Sequence, residues 1–367
     1  MSSEHASAPI RVGIIGLGFG GETHLKCYRQ LPDVQVVALA GLEEDKLQQL
    51  GETYQVPHLH RYYEELLTRD DLDAISICVP NYLHLPIALA AFERGFHVLS
   101  EKPLARTGAE AEQIAQAALQ ANRVLEVVFN HRMRNDIRVL KQVIDEDGLG
   151  HIYYAKVYWM RRHGIPGSGS WFVNKEMSGG GPLIDLGVHV LDMGLHLLGE
   201  PEAITVTAST YNEIGKSGRG VDKKSRKSGV GNAFEVEDLA TAFIRLSNGA
   251  TLTLETSWAT HSDVGDDFGV TIYGTKGGAE IRVKNYSWED TLRIFTDVAD
   301  APADTRPHLT RGEGHLAVVR GFIEAIRGGN WSAHTGSEGV RRAKIIDACY
   351  ESALKGREVL LGDETAE

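Results

Sequence analysis

The chain has 367 residues, with 38 basic and 50 acidic side chains and a formal charge of −12. That balance argues against nucleic-acid binding, because phosphates call for a net positive or strongly basic face. Hydrophobic residues at 42% and charged residues at 24% exclude wholesale disorder, and the length suits two domains of roughly 150 residues each. The first third alternates strands and helices. Arg11–Ile15 reads as a strand, Thr23–Leu31 as a helix, Val34–Ala40 as a strand and Glu43–Tyr54 as a charged helix. Ala74–Val79 is a continuous apolar run, as a strand covered on both faces requires. A helix at His84–Arg94, a strand at Phe96–Leu99, a helix at Gly108–Ala121 and a strand at Val124–Phe129 follow. This rhythm predicts a doubly wound parallel sheet over residues 1–129.

Beyond Phe129 the rhythm changes. A helix at Ile137–Glu146 precedes strand-like runs at His151–Trp159, Ala203–Tyr211, Leu239–Leu246, Ala250–Trp258, Val270–Tyr273 and Gly278–Val283. Asn248-Gly249 is a hairpin signal. One helix, Leu183–Leu198, interrupts the strands, and helices at Leu316–Arg327 and Gly339–Lys355 close the chain. The expectation for 130–367 is an antiparallel sheet with helices on one face. Ile214–Gly231 is a Gly/Ser/Lys-rich insert with six basic residues and one acid; its lysines either attract an anionic sugar or decorate an exposed or intersubunit loop, and the second reading is preferred. Cys27, Cys78 and Cys349 are too few and too scattered for a disulfide framework or structural zinc. Met1–Pro9 lacks the pattern of a signal peptide, and the apolar stretch Ala74–Phe92 is broken by Pro80, Asn81, His84 and Pro86. The expectation is therefore a cytoplasmic protein with no membrane span.

Four motifs carry chemistry. Gly16-Leu17-Gly18-Phe19-Gly20-Gly21 satisfies G-x-G-x-x-G between a strand and a helix, the placement that cradles a dinucleotide pyrophosphate. An acid for the ribose is expected near the end of the second strand, where the sequence reads Gly41-Leu42-Glu43, with Lys46 nearby as a phosphate partner opposed by its acidic neighbours. NAD is favoured and NADP stays open. Pro80-Asn81-Tyr82-Leu83-His84 and Glu101-Lys102-Pro103 lie beyond strand carboxyl ends, where α/β sheets bind ligands. Lys102 is read as functional and His84 as a helix-capping loop residue. Gly179-Gly180-Gly181-Pro182 opens a helix carrying Asp185 and His189, four apart on one face. The three glycines suggest a close approach of backbone and ligand. Asp192 and His196 repeat the spacing, but no further carboxylate or cysteine supports a metal, and none is expected.

These motifs together resemble the glucose–fructose oxidoreductase / inositol 2-dehydrogenase / MocA (Gfo/Idh/MocA) family, over most of the chain. The likeness covers the glycine fingerprint with His24, Pro80-Asn81-x-x-His84, Glu101-Lys102-Pro103, Gly179–His189 with Asp192, Val236-Glu237-Asp238 and Asn248-Gly249. The resemblance implies an N-terminal Rossmann domain and a C-terminal α+β domain (130–367) with a large open sheet. It implies assembly into homodimers or homotetramers through that sheet, and a Lys102–Pro103 bond that is often cis. It implies Lys102 as catalytic lysine, with Asp185 and His189 completing the group.

The chemistry expected is hydride transfer between a nicotinamide and a secondary hydroxyl or ketone of a sugar, cyclitol or sugar derivative. A positioned base must share the hydroxyl proton. His189 is suited to that near neutrality, Lys102 to the developing alkoxide, and their roles overlap in the family. For substrate contacts the segment Arg161–Phe172 offers Arg161, Arg162, His163 and Trp171, with solvated arginines and a core tryptophan as the equal alternative. Arg132 is a weaker candidate. Two other outcomes fit the same motifs: glycoside cleavage by transient oxidation and elimination, and a non-catalytic dinucleotide or sugar sensor. The second would have lost the lysine or histidine, and this chain keeps both.

Overall fold

The computed structural model describes residues 8–167, 169–221 and 234–361, so residues 222–233 of the basic insert lie outside the described residues. The first compact unit comprises residues 1–105, 109–130 and 313–340. Its strands are β1 (Ile10–Ile15), β2 (Val34–Ala40), β3 (His58–His60), β4 (Ala74–Ile77), β5 (His97–Ser100) and β6 (Leu125–Val127), with helices α1 (Phe19–Tyr28), α2 (Glu44–Tyr54), α3 (Tyr63–Leu67), α4 (His84–Glu93) and α5 (Gly108–Ala121). The strands pair in parallel in the order β3-β2-β1-β4-β5-β6, so the chain reverses direction across the sheet between β1 and β4. That switch point opens the crevice in which α/β sheets bind dinucleotides. All of β4 is buried, which is why it reads as unbroken apolar sequence.

The second unit comprises 106–108, 131–312 and 341–367. It contains α6 (Asn135–Asp145), β7 (Ile152–Arg161), α7 (Lys175–Ser178), a π-helical turn at Leu183–Gly187, α8 (Val188–Leu197) and the strands β8 (Ala203–Tyr211), β9 (Leu239–Leu246), β10 (Thr251–Ser257), β11 (Asp266–Gly274), β12 (Gly278–Lys284), β13 (Leu292–Val298) and β14 (Ala301–Thr305). Then come α9 (His315–Gly328) in the first unit, α10 (Ser337–Lys355), and β15 (Val359–Leu360) back in the second. The nine strands order β14-β13-β12-β11-β7-β10-β9-β8-β15. All pairs are antiparallel except β10 with β7, so the sheet is mixed but mainly antiparallel. The Asn248-Gly249 turn joins β9 to β10 as expected.

Among the described residues, one face of this sheet is covered and the other is not. On β7 the buried Ala155, Val157 and Trp159 alternate with Lys156 and Tyr158. Gly194 lets α8 lie close on β7, since a Cβ there would stand 2.8 Å from Val157 Cγ1. Among the described residues, no helix is long and apolar enough to cross a membrane.

The structure departs from the sequence expectations in several places. The chain does not leave the first unit for good at residue 130, because 313–340 return to it. There Leu125 N–H donates to the His334 carbonyl at 2.8 Å, giving the short edge strand β6 a partner. The short β3, α3 and β15 and the pair β13–β14 were not foreseen. Strand β14 carries Pro302 and is largely exposed, features tolerated only at a sheet edge. The helix expected at Leu183–Leu198 is a π turn followed by α8.

Candidate active site

In the first unit the glycine turn has two kinds of glycine. Gly16 has φ +97°, and a Cβ there would fall 2.1 Å from the Cys78 carbonyl oxygen. A Cβ on Gly21 would fall 1.9 Å from the Gly16 carbonyl oxygen. The fold itself requires these two. At Gly18 a Cβ would meet nothing within 4 Å; the space above it is open. Gly18 is also the N-cap of α1, with no side chain capping the first-turn amides. An open space faced by helix N-terminal amides suits a pyrophosphate. Phe19 is 81% exposed at the rim, and Gly20 backs onto Glu101, whose Cγ would be 3.2 Å from a Cβ there.

Glu101 anchors a polar cluster. Its Oε1 lies 3.2 Å from His24 Nε2 and 3.9 Å from His315 Nε2. The other His24 nitrogen meets Ser76 Oγ at 3.1 Å. Burial alone would raise the Glu101 pKa, but His24, His315 and Lys102 outweigh it and hold the carboxylate at about 2. Sequence reasoning missed His315, which arrives on the returning helix α9. Lys102 N–H donates to Glu101 Oε2 at 3.2 Å, and the Lys102–Pro103 bond is cis. His84 is fully buried, its nitrogens 2.9 Å from the carbonyl oxygens of Pro103 and Val79. It ties together the loops after β4 and β5 rather than facing a ligand, and burial lowers its pKa. Asn81 is buried beside it in sequence, and Pro80 is half-buried.

At the end of β2, Gly41 packs on Leu17, whose Cδ1 would be 2.4 Å from an added Cβ, so this position has no room for the expected acid. The Oε2 of Glu43 would stand 3.5 Å from the same Cβ, so its carboxylate reaches back toward that place. Leu42 is exposed. Lys46 pairs with Glu22 at 3.5 Å, which argues against a phosphate role.

In the second unit, Asp185 sits in the π turn and His189 in the first turn of α8. Wide turns of this kind recur at functional sites. Trp258, wholly buried, donates its indole N–H to Asp185 Oδ2 at 3.0 Å. The His189 ring lies edge-on to His131, centroids 4.8 Å apart, and 5.6 Å from the Trp159 ring. Trp159 stacks on Phe268 at 4.5 Å. The indole of Trp159 donates to Asp266 Oδ1 at 2.7 Å, and Arg161 Nε lies 2.9 Å from Asp266 Oδ2. Arg161 also donates to the Tyr286 hydroxyl at 2.9 Å. Sequence reasoning missed His131, Trp159, Trp258, Asp266 and Tyr286, because each meets its partners across a long stretch of sequence.

Two expectations are corrected. The spaces at Gly180 and Gly181 are filled by protein, not left for a ligand. A Cβ on Gly180 would lie 1.9 Å from the Tyr350 hydroxyl, and one on Gly181 would lie 2.1 Å from the Glu237 carbonyl oxygen. The Glu237 carboxylate caps the turn, accepting from Gly181 and Leu183 N–H at 3.0 Å each and from Tyr350 at 2.9 Å. Burial raises the Glu237 pKa against those donors. Arg132 is not turned to open space: it binds Asp192 through two nitrogens and reaches Glu200 at 3.3 Å. Arg342 holds the same two carboxylates from the other side, so Asp192 is engaged by guanidiniums. Trp171 stacks on Phe172 at 3.9 Å and His163 is exposed. Among the described residues no three His, Cys, Asp or Glu side chains gather as a metal would need.

A parallel sheet in dinucleotide-binding order, an open glycine cradle and a polar group beside an aromatic wall define an NAD-binding oxidoreductase. Residues 10–129 match the family model "Oxidoreductase family, NAD-binding Rossmann fold" and residues 137–280 the "GFO/IDH/MocA C-terminal domain". The chain belongs to the Gfo/Idh/MocA oxidoreductase family. It is 31% identical to the D-glucoside 3-dehydrogenase of Escherichia coli, over 98% of this chain and all of that one. It is also 31% identical to the levoglucosan dehydrogenase of Pseudarthrobacter phenanthrenivorans, over 94% of this chain and 96% of the relative. A solved levoglucosan dehydrogenase in complex with NADH superposes with a TM-score of 0.84 at 26% identity, covering 96% of this chain and 99% of the other.

Proposed function

We propose that this protein is an NAD-dependent dehydrogenase or reductase acting on a secondary hydroxyl or ketone of a sugar, cyclitol or sugar derivative. The observation that carries this reading is the placement of His189 against the Trp159–Phe268 wall, four residues after an Asp185 held by Trp258, in a chain with an NAD-binding fold. Aromatic faces suit the apolar face of a sugar ring, and an adjacent imidazole and carboxylate suit its hydroxyls. The names of the curated relatives, a glucoside and a levoglucosan dehydrogenase, support the substrate class.

Bound nicotinamide supplies the hydride acceptor or donor. In the reaction we propose, His189 accepts the hydroxyl proton as the carbonyl forms. Lys102 places its positive charge at the developing alkoxide, and the protonated His189 returns the proton when the ketone is reduced. Asp185, oriented by Trp258, accepts from a neighbouring substrate hydroxyl, and Arg161 donates to another. Gly16, Gly18, Gly20 and Gly21 with the first turn of α1 hold the pyrophosphate, and Glu43 the adenosine ribose.

The same reading extends to assembly. The uncovered sheet face carries a row of Phe243, Thr253, Lys156, Thr271 and Glu280 in register. We propose that two copies, or four, pack through it in the cytoplasm. Scattering in solution reads the assembly directly; a monomer at micromolar concentration contradicts it. The activity is tested by following reduced nicotinamide with glycosides, free sugars and inositols and NAD. Accumulation of the reduced cofactor is expected with at least one class. Glycoside cleavage without net reduction would assign transient oxidation and elimination instead.

A further inference from the structure

The dehydrogenase reading leaves the charge of the substrate open, and the wall beside His189 bears on it. Arg161 at the end of β7 and Asp266 at the start of β11 are direct cross-strand partners, as are Trp159 and Phe268. Opposite charges so placed support one another. The contact is an ion pair of 2.9 Å whose Nε–H is not aimed along a linear hydrogen bond. Asp266 is fixed from a second side by the Trp159 indole. A third fixture is the Tyr286 hydroxyl, which accepts from the far end of the guanidinium. Tyr286 is the second of two left-handed residues, Asn285 at φ +48° and Tyr286 at φ +60°. Non-glycine residues pay for such conformations and keep them where surrounding structure demands it.

Nε and Nη2 of the guanidinium are therefore engaged by protein. Burial alone would lower the Arg161 pKa, while Tyr286, Asp266 and Asp185 raise it, so Asp185 is also within electrostatic reach. Two carboxylates face one guanidinium along this wall. The neighbouring arginines are engaged likewise: Arg134 is buried on Asp136 at 2.7 Å and Arg132 is held by Asp192. Arg162, the residue after β7, is exposed. A carboxylate or phosphate recognised by arginine takes a bidentate fork. Here one side of that fork is already filled by Asp266.

We propose that the substrate is an uncharged sugar or cyclitol, and that Asp266 is the residue that excludes carboxylated sugars, by occupying Arg161. A neutral hydroxyl needs only the donors that remain on Arg161 and the acceptors on Asp185. A uronate would bring a third carboxylate beside Asp266 and Asp185, and like charges so placed repel. Rejection built from a repulsive group is a common source of specificity.

This rests on the dehydrogenase reading, and the test separates the two. The full-length protein is assayed with NAD on methyl glucosides and the matching methyl glucuronides. The wild type is expected to favour the glucoside by about 100-fold or more in kcat/KM. Asp266→Asn frees the guanidinium and is expected to narrow that ratio by about tenfold, chiefly through a lower KM for the glucuronide. Asp266→Ser covers the case in which Asp266→Asn does not fold, and it is expected to narrow the ratio in the same direction. A wild type that prefers the glucuronide overturns the proposal. So does a folded Asp266→Asn or Asp266→Ser with an unchanged ratio. Absence of turnover with every sugar, while NADH still binds, overturns the dehydrogenase reading itself.

Discussion

The indole N–H of Trp258 points at the Asp185 carboxylate, 3.0 Å from Oδ2, from the residue that follows β10. Trp258 is fully buried and Asp185 is half-buried. The hydrogen bond fixes one oxygen of Asp185 and turns the carboxylate in the wide π turn. Trp258→Phe keeps most of the bulk and removes the donor. A hydrogen bond to a charged group contributes about 1.5–3 kcal/mol, so kcat/KM for the sugar should fall by about 10- to 100-fold. The affinity for NADH should be unchanged, because the dinucleotide cradle lies in the other unit. A loss shared equally between sugar and cofactor would mean general unfolding and would count against a positioning role.

Lys102 follows an ionised carboxylate, Glu101, in a loop tied down by His84. Lys102→Ala should abolish turnover with every sugar while NADH binding, read by fluorescence titration, survives. Lys102→Arg should recover a small part of the rate, since it restores charge without the ammonium's shape. A Lys102→Ala protein with a near-wild-type rate would remove the lysine from the chemistry.

Much of the fold is written locally. Ala74–Ile77 is buried on both faces and reads as unbroken apolar sequence, and Asn248-Gly249 marks its own hairpin. Strands β13 and β14 escape because half-exposed edge strands need neither a continuous core face nor the absence of proline; Pro302 lies inside one. The return of residues 313–340 to the first unit escapes for a different reason. It is a tertiary choice, made by helix α9 and the segment that pairs with β6. The site shows the same division. Gly16, Gly18 and Gly21 are legible because their reason is local geometry. Asp266, Trp258 and His131 are not, since each gains its chemistry from a partner distant in sequence. The triple glycine looks like room for a ligand until Tyr350 and Glu237 are seen to fill it.

Glu43 and Gly41 concern the choice of cofactor. No acid fits at Gly41 against Leu17, but the Glu43 carboxylate reaches toward the same place. A carboxylate there accepts from both ribose hydroxyls of NAD and repels the 2′-phosphate of NADP. Glu43→Gln should raise the KM for NAD by about 5- to 20-fold and lower that for NADP, shrinking the preference by about a factor of 10 to 100. The ratio of kcat/KM for the two cofactors measures it. An unchanged ratio would place the discriminating group elsewhere.

His97 and Glu101 give the first unit an acid limit in two steps. Burial, with Arg123 nearby, lowers the His97 pKa from 6.5 to about 4. The neutral ring accepts from Val124 N–H at 3.0 Å and packs edge-on against Trp331 at 4.6 Å. Because the folded value is depressed, the unfolded chain binds the proton first as pH falls. The stability this ring contributes is complete above about pH 6.5 and is lost progressively down to about pH 4. Glu101, held at about 2 against 4.5, takes over below: its contribution is present above about pH 4.5 and is lost toward pH 2. Thermal melting followed at intervals from pH 7.5 to pH 3 should therefore show a melting temperature that declines through both windows. His84, His196 and His315 are also lowered by burial and act in the first of them. His97→Gln keeps an acceptor for Val124 and removes the titration. It should lower the melting temperature at pH 7.5 through lost packing on Trp331, yet flatten the decline between pH 6.5 and pH 4. A variant whose curve runs parallel to the wild type across that window would show that His97 is not among the groups protonated on unfolding.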